Sequence, residues 1–147
     1  MALSDTAIRR SIDDGKLTIQ PFDPSRLTPS GYDLAVCEKV AIQAGEQRLV
    51  ATLERVELPA SLSGILHLRS TFAREGLIAS LALVDPGFRG QLTVSLFNAG
   101  KKPVNIEYGE RFLQMTFIEL TSMANRPYEG RYQESRGVVE SRRIDRK

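Results

Sequence analysis

The sequence predicts an all-β fold, a distorted barrel or jelly roll with a short N-terminal helix and one short internal helix. Three observations point there: beyond residue 16 the apolar residues fall in short continuous or alternating runs, turn-forming residues separate those runs, and helical periodicity is confined to two brief stretches.

The first stretch opens the chain. Ser4 stands where an N-cap would, Ile8 and Ile12 lie one turn apart, and Gly15 can end the segment, so residues 5–14 read as an amphipathic helix. Leu3 and Ile8 are spaced for a hydrophobic staple. Strands are expected at residues 17–21, 32–36, 47–58, 65–68, 77–84, 91–97, 104–108 and 111–120, broken by Pro24, Pro29-Ser30-Gly31, Pro59, Gly64, Pro86-Gly87, Gly100 and Gly109. Many short strands at this spacing indicate an antiparallel sandwich, jelly roll or barrel. Residues 71–75, before Gly76, read as the second helical turn. No internal repeat is present, which sets periodic solenoids aside.

The 147 residues, 41% of them apolar, suit one domain that needs neither disulfide nor structural metal. The expected division is a single domain over 1–147 with 124–147 as a C-terminal tail. Cys37 has no partner and no charged-then-apolar leader opens the sequence, so the expected location is cytoplasmic. The apolar run at 77–84 is flanked at once by Glu75 and Asp85, far short of the roughly 20 residues a membrane span requires. From Arg131 onward, six basic residues (Arg131, Arg136, Arg142, Arg143, Arg146, Lys147) face three acidic ones (Glu134, Glu140, Asp145), a net +3 that leaves −1 for the rest of a +2 chain. Such a tail suits phosphates as well as solvent. No Lys/Arg block is interleaved with aromatics and tryptophan is absent, so no nucleic-acid partner is expected.

One histidine, His67, and one cysteine cannot supply a three-ligand His/Cys zinc site, which excludes zinc-dependent deamination. His67 lies in a strand pattern without a G-x-S-x-G elbow and reads as structural or surface. No Walker or dinucleotide-binding glycine motif occurs. Three segments remain. Gly31-Tyr32-Asp33-Leu34 opens a strand with an acid. Arg69-Ser70-Thr71-Phe72-Ala73-Arg74 ends a strand in cations and hydroxyls that suit phosphate oxygens. Val84-Asp85-Pro86-Gly87-Phe88-Arg89-Gly90 carries an acid from an apolar run into a tight turn. Taken singly, each also fits a turn or a helix cap.

Taken together and in order, they resemble the first three motifs of the dUTPase and dCTP deaminase superfamily, with Gly109-Glu110-Arg111-Phe112-Leu113-Gln114 similar to the fourth. The resemblance spans nearly the whole chain and implies the dUTPase-like, or β-clip, version of the all-β fold. The N-terminal helix, the Asp-Pro-Gly-Phe turn and the tail look closer to the deaminase branch, so the chain is most similar to an archaeal-type dUTPase of that branch. Deaminases of this kind place a Glu late in the strand after the third motif, where this chain has Ser95. A serine hydroxyl alone is no carboxylate base, and the stretch from Arg74 to Asp85 is also shorter than in deaminases. The resemblance therefore implies a dUTP pyrophosphatase, giving dUMP and diphosphate. The alternatives are a zinc-independent dCTP deaminase and a deoxynucleotide-binding homologue without turnover.

By the same resemblance, Asp85 is the catalytic residue that deprotonates water for attack on the α-phosphorus. Arg69, Ser70, Thr71, Arg74, Gln114, Tyr132 and Arg136 bind substrate. Phe88 packs on the deoxyribose, Leu81, Ala82, Leu83 and Val84 form the base-recognition hairpin, and Asp33 supports the site. Mg²⁺ enters on the triphosphate and its waters without direct protein ligands. The assembly implied is a homotrimer with interfacial sites, closed by the tail as a lid over a small-molecule deoxynucleoside triphosphate.

Overall fold

A computed structural model describes residues 1–143. The tail positions Asp145, Arg146 and Lys147 of the charge count therefore lie outside the described residues, and so does the end of the 124–147 segment.

Helix α1 (Asp5–Asp13) begins where Ser4 Oγ accepts the Ala7 N–H at 3.3 Å, and it ends before Gly15, whose φ of +69° suits a residue without Cβ. Ile8 is fully buried and Leu3 packs on the core beside it. The strands are β1 (Thr18–Gln20), β2 (Leu27–Thr28), β3 (Gly31–Ala35), β4 (Val40–Ile42), β5 (Gln47–Glu57), β6 (Leu62–Leu68), β7 (Leu77–Ser80), β8 (Arg89–Asn98), β9 (Val104–Ile106) and β10 (Arg111–Glu119), with helix α2 (Ser70–Arg74) between β6 and β7. They form two four-stranded antiparallel sheets, β1-β5-β8-β7 and β2-β3-β10-β6, and a ribbon β4-β9. The sheets share one apolar core and stay open at their edges. No helix among the described residues is long and apolar enough to cross a membrane.

Two differences from the sequence expectation bear on the site. The apolar run at 77–84 is strand only to Ser80, after which it leaves β8 and touches the other sheet through a single bridge, Val84 to Gly64 of β6. Freed from pairing, Leu83 is 57% exposed. Strand β5 is irregular between Ala51 and Arg55, and the Thr52 hydroxyl repairs the gap, donating to the Glu54 carbonyl at 2.9 Å and accepting the Leu92 N–H at 3.0 Å. This bulge keeps Glu54 inward, 1% exposed. There its carboxylate takes the Ala35 N–H (2.9 and 3.1 Å) and Arg26 Nη1 (3.2 Å). Burial, the dominant cause, raises the Glu54 pKa above 4.5.

Candidate active site

Residues that alternate along β8 present Gln91, Thr93 and Ser95 on its outward face, while Leu92, Val94 and Leu96 point into the core. That outward face is the floor of a cavity of about 520 Å³. Leu49 of β5 and Ser80 of β7 flank it, and Ala82, Leu83, Val84 and Asp85 form a wall. The wall turns at Asp85-Pro86-Gly87, where Gly87 has φ +88° and a Cβ would meet Pro127 at 2.6 Å. Phe88 follows, 7% exposed, its ring 5.7 Å from that of Tyr128.

The roof comes from the tail. Gly90 lets it approach: a Cβ there would lie 2.8 Å from the Ser135 amide. The Gln91 N–H donates to the Ser135 carbonyl (2.9 Å), the Gly137 N–H to Gln91 Oε1 (2.6 Å) and the Val139 N–H to Thr93 Oγ1 (3.1 Å). The tail thus runs as a strap above β8, bringing Tyr132, Ser135, Val139 and Ser141 to the cavity. Glu134 pins its near end. Its backbone is left-handed (φ 62°), and its carboxylate receives Arg89 Nε and Arg55 Nη1, each at 2.8 Å. Those two guanidiniums, Arg89 foremost, hold the Glu134 pKa below 4.5.

Among the described residues, Asp85 is the sole charged side chain lining this cavity. It is exposed, and its carboxylate has no hydrogen-bond or ion-pair partner among the described residues. Among the described residues no Glu lines the space around Ser95, whose hydroxyl accepts the Gln47 Nε2 hydrogen bond at 2.8 Å.

A second depression of about 500 Å³ gathers Asp33, Arg69, Ser70 and Gln114, with Thr28 and His67 beside them. Asp33, 5% exposed on β3, aligns Arg69 Nε at 3.5 Å and Arg111 Nη1 at 3.9 Å. Gln114 Nε2 donates to Thr28 Oγ1 at 2.6 Å. Two guanidiniums held beside one buried carboxylate, Arg69 of them lining the depression, present donors of the kind that suit anionic oxygens.

Ala82, Leu83, Val84, Asp85, Phe88 and Tyr132 therefore share the first cavity, and Asp33, Arg69, Ser70 and Gln114 the second. Leu81 packs against the core instead, and Thr71, Arg74 and Arg136 are exposed outside both. The halves stand apart. Val84 bridges Gly64 near the start of β6, and Arg69 follows the end of that strand, five residues on and so about 17 Å away. Sequence reasoning missed Gln91, Thr93 and Glu134, whose polar side chains on a strand and a tail resemble ordinary solvent-facing choices.

Residues 35–120 match the dCTP deaminase-like family. The dCTP deaminase of Thermococcus gammatolerans is 43% identical over 162 aligned positions, covering 100% of both chains. A protein of Sulfolobus islandicus rod-shaped virus 1 named probable deoxyuridine 5'-triphosphate nucleotidohydrolase is 34% identical, covering 95% of this chain and 97% of its own. Among solved structures, the Agrobacterium tumefaciens 2'-deoxycytidine 5'-triphosphate deaminase superposes with a TM-score of 0.70 at 18% identity, over 82% of this chain and 49% of that one. Overlap of the matched region with both depressions, together with a relative aligned from end to end, places this chain in the dCTP deaminase-like family.

Proposed function

We propose that the protein is a dUTP pyrophosphatase, converting dUTP and water to dUMP and diphosphate. The observation that carries this reading is Asp85 standing, among the described residues, as the only charged group of the larger cavity, with the Ser95 hydroxyl at the place where the motif resemblance implies a deaminase's carboxylate. Asp85 takes a proton from water as the oxygen attacks the α-phosphorus. The bond from that phosphorus to the α,β-bridging oxygen breaks, and diphosphate leaves carrying the electron pair. Phe88, buried against Tyr128, offers a ring face to the sugar, where a 2′-hydroxyl would lose its hydrogen bonds. Ala82 and Leu83, outside the sheet pairing, have main-chain groups free to meet a pyrimidine, while both main-chain groups of Val84 are held by Gly64.

The donor set fits Mg²⁺ delivered on the triphosphate. No group of three or more His, Cys, Asp or Glu is arranged to hold a metal among the described residues, and Asp85 is the one carboxylate that would face the ion, through water. When bound, Mg²⁺ neutralises charge developing on the phosphate oxygens.

Because Arg69 lies about 17 Å along β6 from the bridge beside Asp85, one chain does not bring both to the same phosphates. A homotrimer in which a neighbour supplies Arg69, Ser70 and Gln114 completes the site, with the segment from residue 124 as its lid. Closing that lid over the one attacking water, with bulk solvent shut out, would set the turnover rate.

The name borne by the Thermococcus relative favours a second reading, dCTP deamination. Incubating the protein with Mg²⁺ and either dUTP or dCTP separates the two. Diphosphate from dUTP supports the proposal; ammonia from dCTP without diphosphate overturns it, and binding without either product identifies a non-catalytic homologue.

A further inference from the structure

Three polar side chains stand in a row on the outward face of β8, and two of them are occupied. Gln91 and Thr93 hold the tail amides of Gly137 and Val139. The third, Ser95, lines the cavity, and its Oγ accepts from Gln47 Nε2 at 2.8 Å. A hydroxyl has one proton and two lone pairs. With Gln47 placed on a lone pair, the proton remains to be given, and no acceptor takes it among the described residues. Gln47 thereby sets the polarity of Ser95 as a donor.

Its position gives that polarity a use. Ser95 is the register partner of Ser80, the last residue of β7, so it stands at the root of the segment 81–84 that walls the cavity. Leu49 on β5 is its partner on the other side, and Ala82 and Leu83 rise beyond. A donor of fixed polarity at this place, with the Ser80 hydroxyl as its polar neighbour on the wall, discriminates between ligands that differ only in whether they present an acceptor or another donor, because a mismatch leaves a polar group unpaired.

We propose that Ser95, oriented by Gln47, reads position 4 of a pyrimidine, donating to a carbonyl oxygen as in uracil and opposing an exocyclic amine as in cytosine. This inference rests on the cavity being a deoxynucleotide site. Ser95 contacts the base. Gln47 acts through it and is a positioning residue.

The test is titration of the full chain, with Mg²⁺, by non-hydrolysable α,β-imido dUTP and α,β-imido dCTP, alongside diphosphate release from dUTP. The wild type should bind the uracil analogue more tightly. Ser95→Ala should shrink that preference about 5-fold or more, the weight of one neutral hydrogen bond, whereas Ser95→Thr, which keeps the hydroxyl, should preserve it. Gln47→Glu is the sharper probe. A carboxylate can only accept, so it would claim the Ser95 proton, turn a lone pair to the cavity and shift preference toward the cytosine analogue. A wild type that binds both analogues equally overturns the inference, as does an unchanged preference in Ser95→Ala and Gln47→Glu; with diphosphate release intact, either result leaves the proposed reaction standing. Failure to bind either analogue overturns both.

Discussion

Replacing Asp85 by Asn separates chemistry from stability because the side chain does nothing for the fold. It is exposed, and its carboxylate engages no donor or cation among the described residues, so an isosteric amide removes no interaction. Surface changes away from partners stay within about 0.5 kcal/mol. For 147 residues, at an unfolding entropy near 2.1 cal/mol/K per residue, that is a Tm shift of less than about 2 °C. The rate should behave otherwise. An amide cannot accept the proton of the attacking water, and loss of a positioned base removes about 10²–10⁴-fold in rate, equivalent to roughly 3–5 kcal/mol of barrier. Diphosphate release from dUTP at saturating substrate measures the first quantity and thermal unfolding the second, and KM should stay within a few-fold because the phosphate-binding side chains are untouched. A variant keeping more than about a tenth of the wild-type rate would show that another group takes the proton. A variant that lost activity together with several degrees of Tm would show that Asp85 holds the fold, which its lack of partners contradicts.

Three further outcomes follow from the same geometry. Glu54→Ala leaves Arg26 and the Ala35 N–H without their buried partner, a loss of roughly 3–5 kcal/mol and, by the same entropy, about 10–16 °C of Tm; a shift under about 3 °C would mean that water reaches the bulge. Since burial raises the Glu54 pKa above 4.5, its folded state favours the proton, and its contribution to stability, full below 4.5, should decline as pH climbs through the folded pKa. Glu134 runs the opposite way: Arg89 and Arg55 hold its pKa below 4.5, so the strap should stay docked above that pH and loosen as acid protonates the carboxylate. The amide resonances of Gly137 and Val139 should report this, Glu134→Gln should abolish the transition, and amides that ignore pH in the wild type would remove the latch. Finally, Arg69→Ala and Asp85→Asn, each inactive alone, should recover up to about one quarter of wild-type activity when refolded together as mixed oligomers; absence of recovery would place both residues in a site built from one chain.

Much of this could be read from the residues, though unevenly. Helix α1 was legible because Ser4, Ile8 and Gly15 state a start, a buried face and an end in local terms. Strands β2 and β4 were not, since two or three residues carry no period, and β4 exists through its pairing with β9, more than 60 positions away. The run at 77–84 misled for a related reason: unbroken apolarity says that side chains leave water without saying whether a sheet or a ligand cavity receives them. Glu54 looks like an error in the alternation of β5 until Arg26 and the Ala35 amide arrive from elsewhere in the chain.

The site shows the same division between local and distant information. Asp85 in its turn, Arg69 at a strand end and Ser95 in place of a carboxylate are local statements, and sequence reasoning reached them. What joins them is a length. Strand β6 runs seven residues from Leu62 to Leu68, long enough to hold Arg69 away from Asp85. On the proposed reading, motifs at opposite ends of one strand are assembled by lending one half to a neighbour. In the proposed trimer, the stiffness of that strand is therefore part of the catalytic design: it prevents any subunit from completing a site alone, and it ties turnover to assembly.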